Sequence, residues 1–210
     1  MPLAPKHSKE PFWPDGARLA VPLSRQFEAG FQRERGAESS FVKKTILAGD
    51  GLGLVGEVRG QGDTALVFLH GWCGDREYWK HQVGPFAADY RVVTLDQAGH
   101  GESGKNRTVW SAAGLAGDVE AVAKSLGLKR VILFGLDTVT AFKEAKVPVR
   151  CINSAGGYQF FTPTAVETNK KYADFGAVTI DGVGHYPMLE KPDEFNRRLR
   201  DVLKELVTRK

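Results

Sequence analysis

From Phe41 onward the apolar residues fall into short runs that alternate with stretches of helical spacing. Segments 41–47 and 52–58 read as two strands joined by Gly49-Asp50-Gly51, a hairpin turn. Segments 65–69, 91–95 and 130–134 are unbroken apolar runs, the pattern of parallel strands buried on both faces. Between the last two, Leu115, Val119, Val122 and Leu126 recur at helical spacing, and Gly127 closes that helix. A short helix over 139–146 is expected to lead through Pro148 into a strand at 149–153, and a further strand spans 177–180. The chain ends on a helix with Phe195, Leu199, Val202, Leu203 and Leu206 on one face, opened by Pro192, Asp193 and Glu194. Strands alternating with helices predict an α/β protein: a mostly parallel sheet with helices on both faces and a hairpin at its N-terminal side.

The opening forty residues behave differently. Segment 1–40 is rich in proline, glycine and charge, and lacks a sustained period, so it reads as a loosely structured extension; 41–210 reads as the core. Within the extension, Trp13-Pro14-Asp15-Gly16-Ala17-Arg18-Leu19-Ala20-Val21 followed by Phe27-Glu28-Ala29-Gly30 resembles the opening strand of polysaccharide deacetylases. The likeness covers no metal ligands and implies no deacetylase chemistry.

Composition narrows the function classes. With 42% hydrophobic and 26% charged residues, the chain has the make-up of a soluble globular protein, and its net charge of +4 is mild. The basic residues near the C-terminus (Arg197, Arg198, Arg200, Lys204, Arg209, Lys210) are interspersed with acids on an amphipathic helix, a solvated face rather than a nucleic-acid patch. Cys73 and Cys151 lack the spacing of a zinc site or a disulfide framework and read as reduced thiols. No apolar stretch approaches a membrane span and no leader is evident, so a cytoplasmic protein without membrane contact is expected. Gly51, Gly53 and Gly56 spell G-x-G-x-x-G, but inside a hairpin rather than between strand and helix, so no dinucleotide cofactor is expected, nor a metal.

Three segments carry chemistry. Strand 65–69 runs into His70-Gly71-Trp72-Cys73-Gly74-Asp75; strand 91–95 runs into Asp96-Gln97-Ala98-Gly99-His100-Gly101-Glu102-Ser103-Gly104; and Gly182-Val183-Gly184-His185-Tyr186-Pro187-Met188-Leu189-Glu190-Lys191-Pro192 follows the last strand. Together they resemble the α/β-hydrolase superfamily. The resemblance implies that the loop of His70, Gly71 and Trp72 lies at an oxyanion hole and lines the pocket, that 96–104 is a structural turn, and that His185 is the general base. Trp72 faces the pocket mouth, whereas Tyr78 and Trp79 read as packing residues.

The superfamily's serine, on a G-x-S-x-G elbow after a strand, is missing. Ser103 belongs to another turn, and Ser125 ends a helix before the strand rather than after it. Gly135-Leu136-Asp137-Thr138-Val139 stands where the elbow belongs. Asp is the nucleophile in the epoxide-hydrolase and dehalogenase branches, so Asp137 is a second candidate catalytic residue, forming an ester that His185-activated water would cleave. Val139 in place of the closing glycine, and only fifty positions between Gly135 and His185, point instead to an internal deletion that removed elbow and lid. No carboxylate follows strand 149–153 before Glu167, so the triad acid is unassigned. The sequence therefore predicts a reduced α/β-hydrolase fold, ancestrally esterase-like and inactive or severely impaired. The alternatives are an Asp137–His185 hydrolase and a non-catalytic binder of a small apolar, ester-like ligand. An unpaired sheet edge near the junction would invite homo-oligomers.

Overall fold

The computed structural model describes residues 18–20, 41–71, 73–135, 148–155, 163–171 and 174–208. Its centre is an eight-stranded sheet in the order β2-β3-β5-β4-β6-β1-β7-β8. These strands are β1 (Arg18–Ala20), β2 (Val42–Leu47), β3 (Gly53–Arg59), β4 (Thr64–Leu69), β5 (Arg91–Leu95), β6 (Arg130–Gly135), β7 (Val149–Ser154) and β8 (Phe175–Ile180). The β2–β3 hairpin joins antiparallel through β3 to β5, and all other neighbours pair in parallel. The hairpin, the parallel strands and the terminal helix fall within two residues of the segments expected from the hydrophobic pattern.

Alternate residues of the central strands supply two separate cores. Val67, Leu69, Val93, Leu95, Val131 and Leu133 pack on one face with Val119 and Val122 of α2 (Ala112–Ser125). Leu66, Phe68, Val92, Ile132 and Phe134 pack on the other, against Trp79, Phe86 of α1 (Lys80–Phe86), and α5 (Pro192–Thr208). Burial on both faces is why these strands read as unbroken apolar runs. The stripe Phe195, Leu199, Val202, Leu203 and Leu206 is buried along α5, as its spacing required, and α3 (Pro163–Lys170) lies between β7 and β8 in the chain. Each such side chain contributes about 1.5–3 kcal/mol of hydrophobic stabilisation. Local signals set the helix ends. Ser111 caps α2 by accepting from the Gly114 N–H at 3.0 Å, and Asp75 accepts from the Glu77 N–H to open the 3₁₀ turn Arg76–Trp79.

A buried arginine lies in the sheet. Arg150 of β7 is buried, and its guanidinium donates to Glu205 of α5, to the Val149 carbonyl and to the Asp174 carbonyl. Among the C-terminal cations, Arg197 and Arg198 pair with Glu194, and Arg200 lies over the Phe86 ring at 4.7 Å. Cys151 is buried and Cys73 exposed, and neither is in a disulfide.

Three residues of the opening segment lie in the sheet. Arg18–Ala20 forms β1, parallel to both neighbours, with Leu19 opposite Leu133 on one side and Val149 on the other. An interior strand therefore comes from the opening segment. The expected helix over 139–146 lies outside the described residues. Among the described residues, no helix is long and apolar enough to cross a membrane.

Candidate active site

Parallel strands end on the same edge of the sheet, and that edge collects the chemistry-bearing loops. Register places Leu69 beside both Leu95 and Gly135, so the loops that follow β4, β5 and β6 start side by side. Ser154 stands opposite Ile180, so β7 ends beside the strand that leads to His185.

His70 is fully buried. Its Nε2 accepts from the Gln97 backbone N–H at 2.9 Å, so the ring proton sits on Nδ1 and donates to the Gly71 carbonyl at 2.7 Å. Burial lowers its pKa from the ordinary 6.5, and the pull of the Gly71 carbonyl in the other direction is smaller. His70 is thus a neutral, doubly bonded ring that shapes its loop, and the Gln97 side chain donates back to its carbonyl. His100 does the same one step outward. Its Nε2 accepts from the Cys73 N–H at 3.2 Å and its Nδ1 lies 3.1 Å from the Ala98 carbonyl, while its ring meets His70 edge-on at 5.0 Å. Cys73 holds a left-handed φ of 60°, a conformation that a non-glycine residue keeps only when its surroundings impose it. Trp72, between Gly71 and Cys73, lies outside the described residues.

The loop after β5 is held by Asp96, which is fully buried. Its carboxylate accepts from the Arg76 N–H (2.8 Å), the Glu102 N–H (2.9 Å) and the Arg76 guanidinium. That guanidinium also reaches Glu57 at 2.9 Å and Glu102 at 2.6 Å, and Lys43 pairs with Glu102 from outside. Lys43 and Arg76 hold the Glu102 carboxyl down at about 2. Gly101 has φ 48° and lies against the Asp96 carboxylate, where any side chain would collide. Ser103 is buried with both hydroxyl functions engaged, donating to the Asp96 carbonyl at 2.6 Å and accepting from the Val55 N–H at 2.8 Å. The segment is the structural turn that the motif implied.

His185 sits half-buried on the loop between β8 and α4 (Pro187–Glu190). Its ring meets Tyr186 edge-on at 4.5 Å, and among the described residues it makes no hydrogen bond. Tyr186 in turn meets Tyr78 edge-on at 5.4 Å. Burial, reinforced by the Tyr186 hydroxyl, pushes the Tyr78 phenol well above its ordinary 10.0. Tyr78 follows the His70–Asp75 loop, so this aromatic pair joins the two halves of the site. Trp79, expected to pack, is buried against Phe68 and Phe195.

Asp137 lies outside the described residues; the structure brings the strand end before it, Gly135, beside Leu69 and the His70 loop. A hollow of about 430 Å³ between the hairpin turn and α2, lined by Leu47, Asp50, Arg107, Val109, Asp118 and Lys124, contains none of the candidate residues. Among the described residues, no group of three His, Cys, Asp or Glu side chains could hold a metal ion. Reading by motif missed Gln97, His100, Tyr186 and Glu190. Each lay inside a quoted segment, but its role depends on contacts across loops that spacing does not reveal.

The fold is the α/β-hydrolase fold. Residues 64–138 match the family described as alpha/beta hydrolase fold. Its relatives include proteins named epoxide hydrolases. Epoxide hydrolase B of Mycobacterium tuberculosis is 39% identical over 75 residues, covering 34% of this chain and 21% of that protein. Epoxide hydrolase 4 of Mus musculus is 33% identical over 79 residues, 37% of this chain and 22% of the relative. The dihydrolipoyllysine-residue acetyltransferase component of the acetoin cleaving system of Pseudomonas putida is 36% identical over 106 residues, 44% of this chain and 29% of that protein. The chain thus spans less than a third of the length of these relatives. Among solved structures, an epoxide hydrolase from Vigna radiata superposes with a TM-score of 0.69 at 14% identity, covering 81% of this chain and 100% of that one. A thermophilic esterase from Thermogutta terrifontis gives 0.63 at 17%, covering 80% and 99%.

Proposed function

We propose that this chain descends from an ester-type hydrolase, retains its oxyanion-side loop and histidine, and has lost ester turnover with its serine elbow. The observation that carries the reading is the residue set at the end of β6. Gly135 stands beside the His70 loop, where a nucleophile belongs, and the sequence continues Leu136-Asp137-Thr138-Val139 with no serine. The described serines near the site are engaged elsewhere. Ser103 is bonded at both ends, and Ser154 donates to the Val183 carbonyl at 2.5 Å. An internal deletion accounts for this arrangement. The connection 136–148 between β6 and β7 is short, and it skips one strand position that β1 fills. A lost segment would have supplied both the elbow and that strand. Removing the members of a nucleophile–histidine unit costs several orders of magnitude in rate.

The test is hydrolysis of p-nitrophenyl acetate by the purified chain beside His185→Ala. The two are expected to be equally slow. A wild type more than about tenfold faster, a barrier difference of about 1.4 kcal/mol, overturns the reading.

A second reading is favoured by one observation: the family match runs through Asp137, and several relatives carry the name epoxide hydrolase. Here the Asp137 carboxylate attacks an epoxide carbon, the ring C–O bond breaks and the freed oxygen takes a proton from solvent; water deprotonated by His185 then cleaves the ester, releasing the diol and the Asp137 carboxylate, and His185 returns its proton to solvent. Turnover of styrene oxide that vanishes in Asp137→Asn supports it. Saturable binding of a small apolar ester without turnover marks a binding protein instead.

A further inference from the structure

We infer that Glu190 is the positioning residue for His185, acting through the backbone on either side of it rather than through its ring. This rests on reading His185 as the histidine of the hydrolase site. The Glu190 carboxylate accepts from the N–H of Gly184 at 2.6 Å through one oxygen and from the N–H of Tyr186 at 2.9 Å through the other. The two donors flank His185, so the loop arches over one carboxylate with the histidine at its crown. Charge-assisted bonds of this kind are shorter and about twice as strong as neutral ones. A Cβ on Gly184 would lie 3.2 Å from a Glu190 oxygen, so the carboxylate would have to give by a few tenths of an ångström.

The arch is anchored at both feet. The Ser154 hydroxyl at the end of β7 donates to the Val183 carbonyl at 2.5 Å, and the Lys191 ammonium donates to the Asp181 carbonyl at 2.7 Å. Beyond Glu190, Met188 of α4 is fully buried, and its carbonyl accepts from Gln82 at 3.2 Å, which fixes the helix carrying the carboxylate. Such an arch holds the Cα–Cβ direction of His185 without an acid bonded to its ring. A chain with no carboxylate after β7 in the usual triad place thereby keeps an oriented histidine.

The experiment is NMR on the full chain as wild type, Glu190→Gln and Glu190→Ala, with His185→Ala to assign the ring signal. In the wild type, the Gly184 and Tyr186 amide protons are expected downfield and slow to exchange, and the His185 ring gives one sharp Cε1–H signal. Glu190→Ala should speed exchange at both amides by at least about tenfold and broaden or split the ring signal, while amides of β4 and β6 keep their protection. Glu190→Gln, which offers one carbonyl oxygen, should retain protection at one amide and a sharper ring signal than alanine. A ring signal identical in wild type and Glu190→Ala overturns the proposal, and so does fast exchange of both amides in the wild type. Should the alanine variant not fold, the glutamine variant decides: both amides and the ring signal unchanged from wild type overturn it. The readout is independent of turnover. Ester hydrolysis by the wild type would sink the inactivity reading and leave this inference to its own signals.

Discussion

Asp96→Ala is expected to cost more stability than any change to an exposed acid in this chain, because one buried carboxylate serves three donors. It accepts from two backbone N–H groups, on Arg76 and Glu102, and from the Arg76 guanidinium. Alanine leaves both N–H groups without their acceptor and takes one counter-charge from a guanidinium whose side chain is only 12% exposed. Hydrogen bonds to charged groups contribute about 1.5–3 kcal/mol each, and breaking a buried pair from one side costs about 3–5 kcal/mol. Glu57 and Glu102 remain on Arg76 and offset part of the loss. A net cost of about 3 kcal/mol follows, which is a large share of the 5–15 kcal/mol typical of a domain. Asp96→Asn should fare little better, since its NH₂ would face one of three donors. Urea unfolding followed by tryptophan fluorescence measures this. With a slope of about 2 kcal/mol per molar, the midpoint should fall by about 1.5 M at unchanged slope. A shift below about 0.5 M would show that water or the remaining acids replace the carboxylate, and would refute the reasoning.

Two further outcomes are expected. Stability should fall on acidification in two windows. His70, whose pKa is lowered on folding, takes up protons more readily unfolded, so its contribution is present above 6.5 and is lost as pH drops below that value. Glu102, held at about 2, contributes above 4.5 and loses that contribution as pH falls toward 2. Melting temperatures from pH 8 to 2 that stay flat across 6.5 would contradict the buried, neutral His70. Separately, Leu19→Pro should destabilise the chain by about 1–3 kcal/mol, because it removes a ladder donor from a strand paired on both sides. An unchanged unfolding midpoint would mean that β1 does not stay seated in solution.

Where the hydrophobic pattern was legible, the physics was local or periodic. Strands buried on both faces cannot hide their apolar runs, and a helix with one buried face shows Phe195, Leu199 and Leu206 at their spacing. The H-G loop, the 96–104 turn and the His185 loop were legible because each follows a strand directly, and parallel strands bring such loops to one edge. Strand β1 was not. Three residues, Arg18-Leu19-Ala20, are too few to carry a period, and their place is dictated by the vacancy between β6 and β7, a property of distant segments. The role of Glu190 was hidden for a related reason. A motif names it, but only the folded arch shows its two oxygens meeting backbone donors on both sides of His185.

The interior position of β1 has a consequence for how the molecule is made. Arg18–Ala20 leaves the ribosome before every strand it touches, and its partners in β6 and β7 follow more than a hundred residues later. At about 5–20 residues per second the wait is on the order of 10 s, far longer than a hairpin such as β2–β3 needs to form. The β6-β1-β7-β8 side of the sheet therefore closes last, around a strand that has waited unpaired since its own synthesis. In that interval β4 and β5 can pair, and the nascent chain offers chaperones an extended segment whose eventual seat does not yet exist.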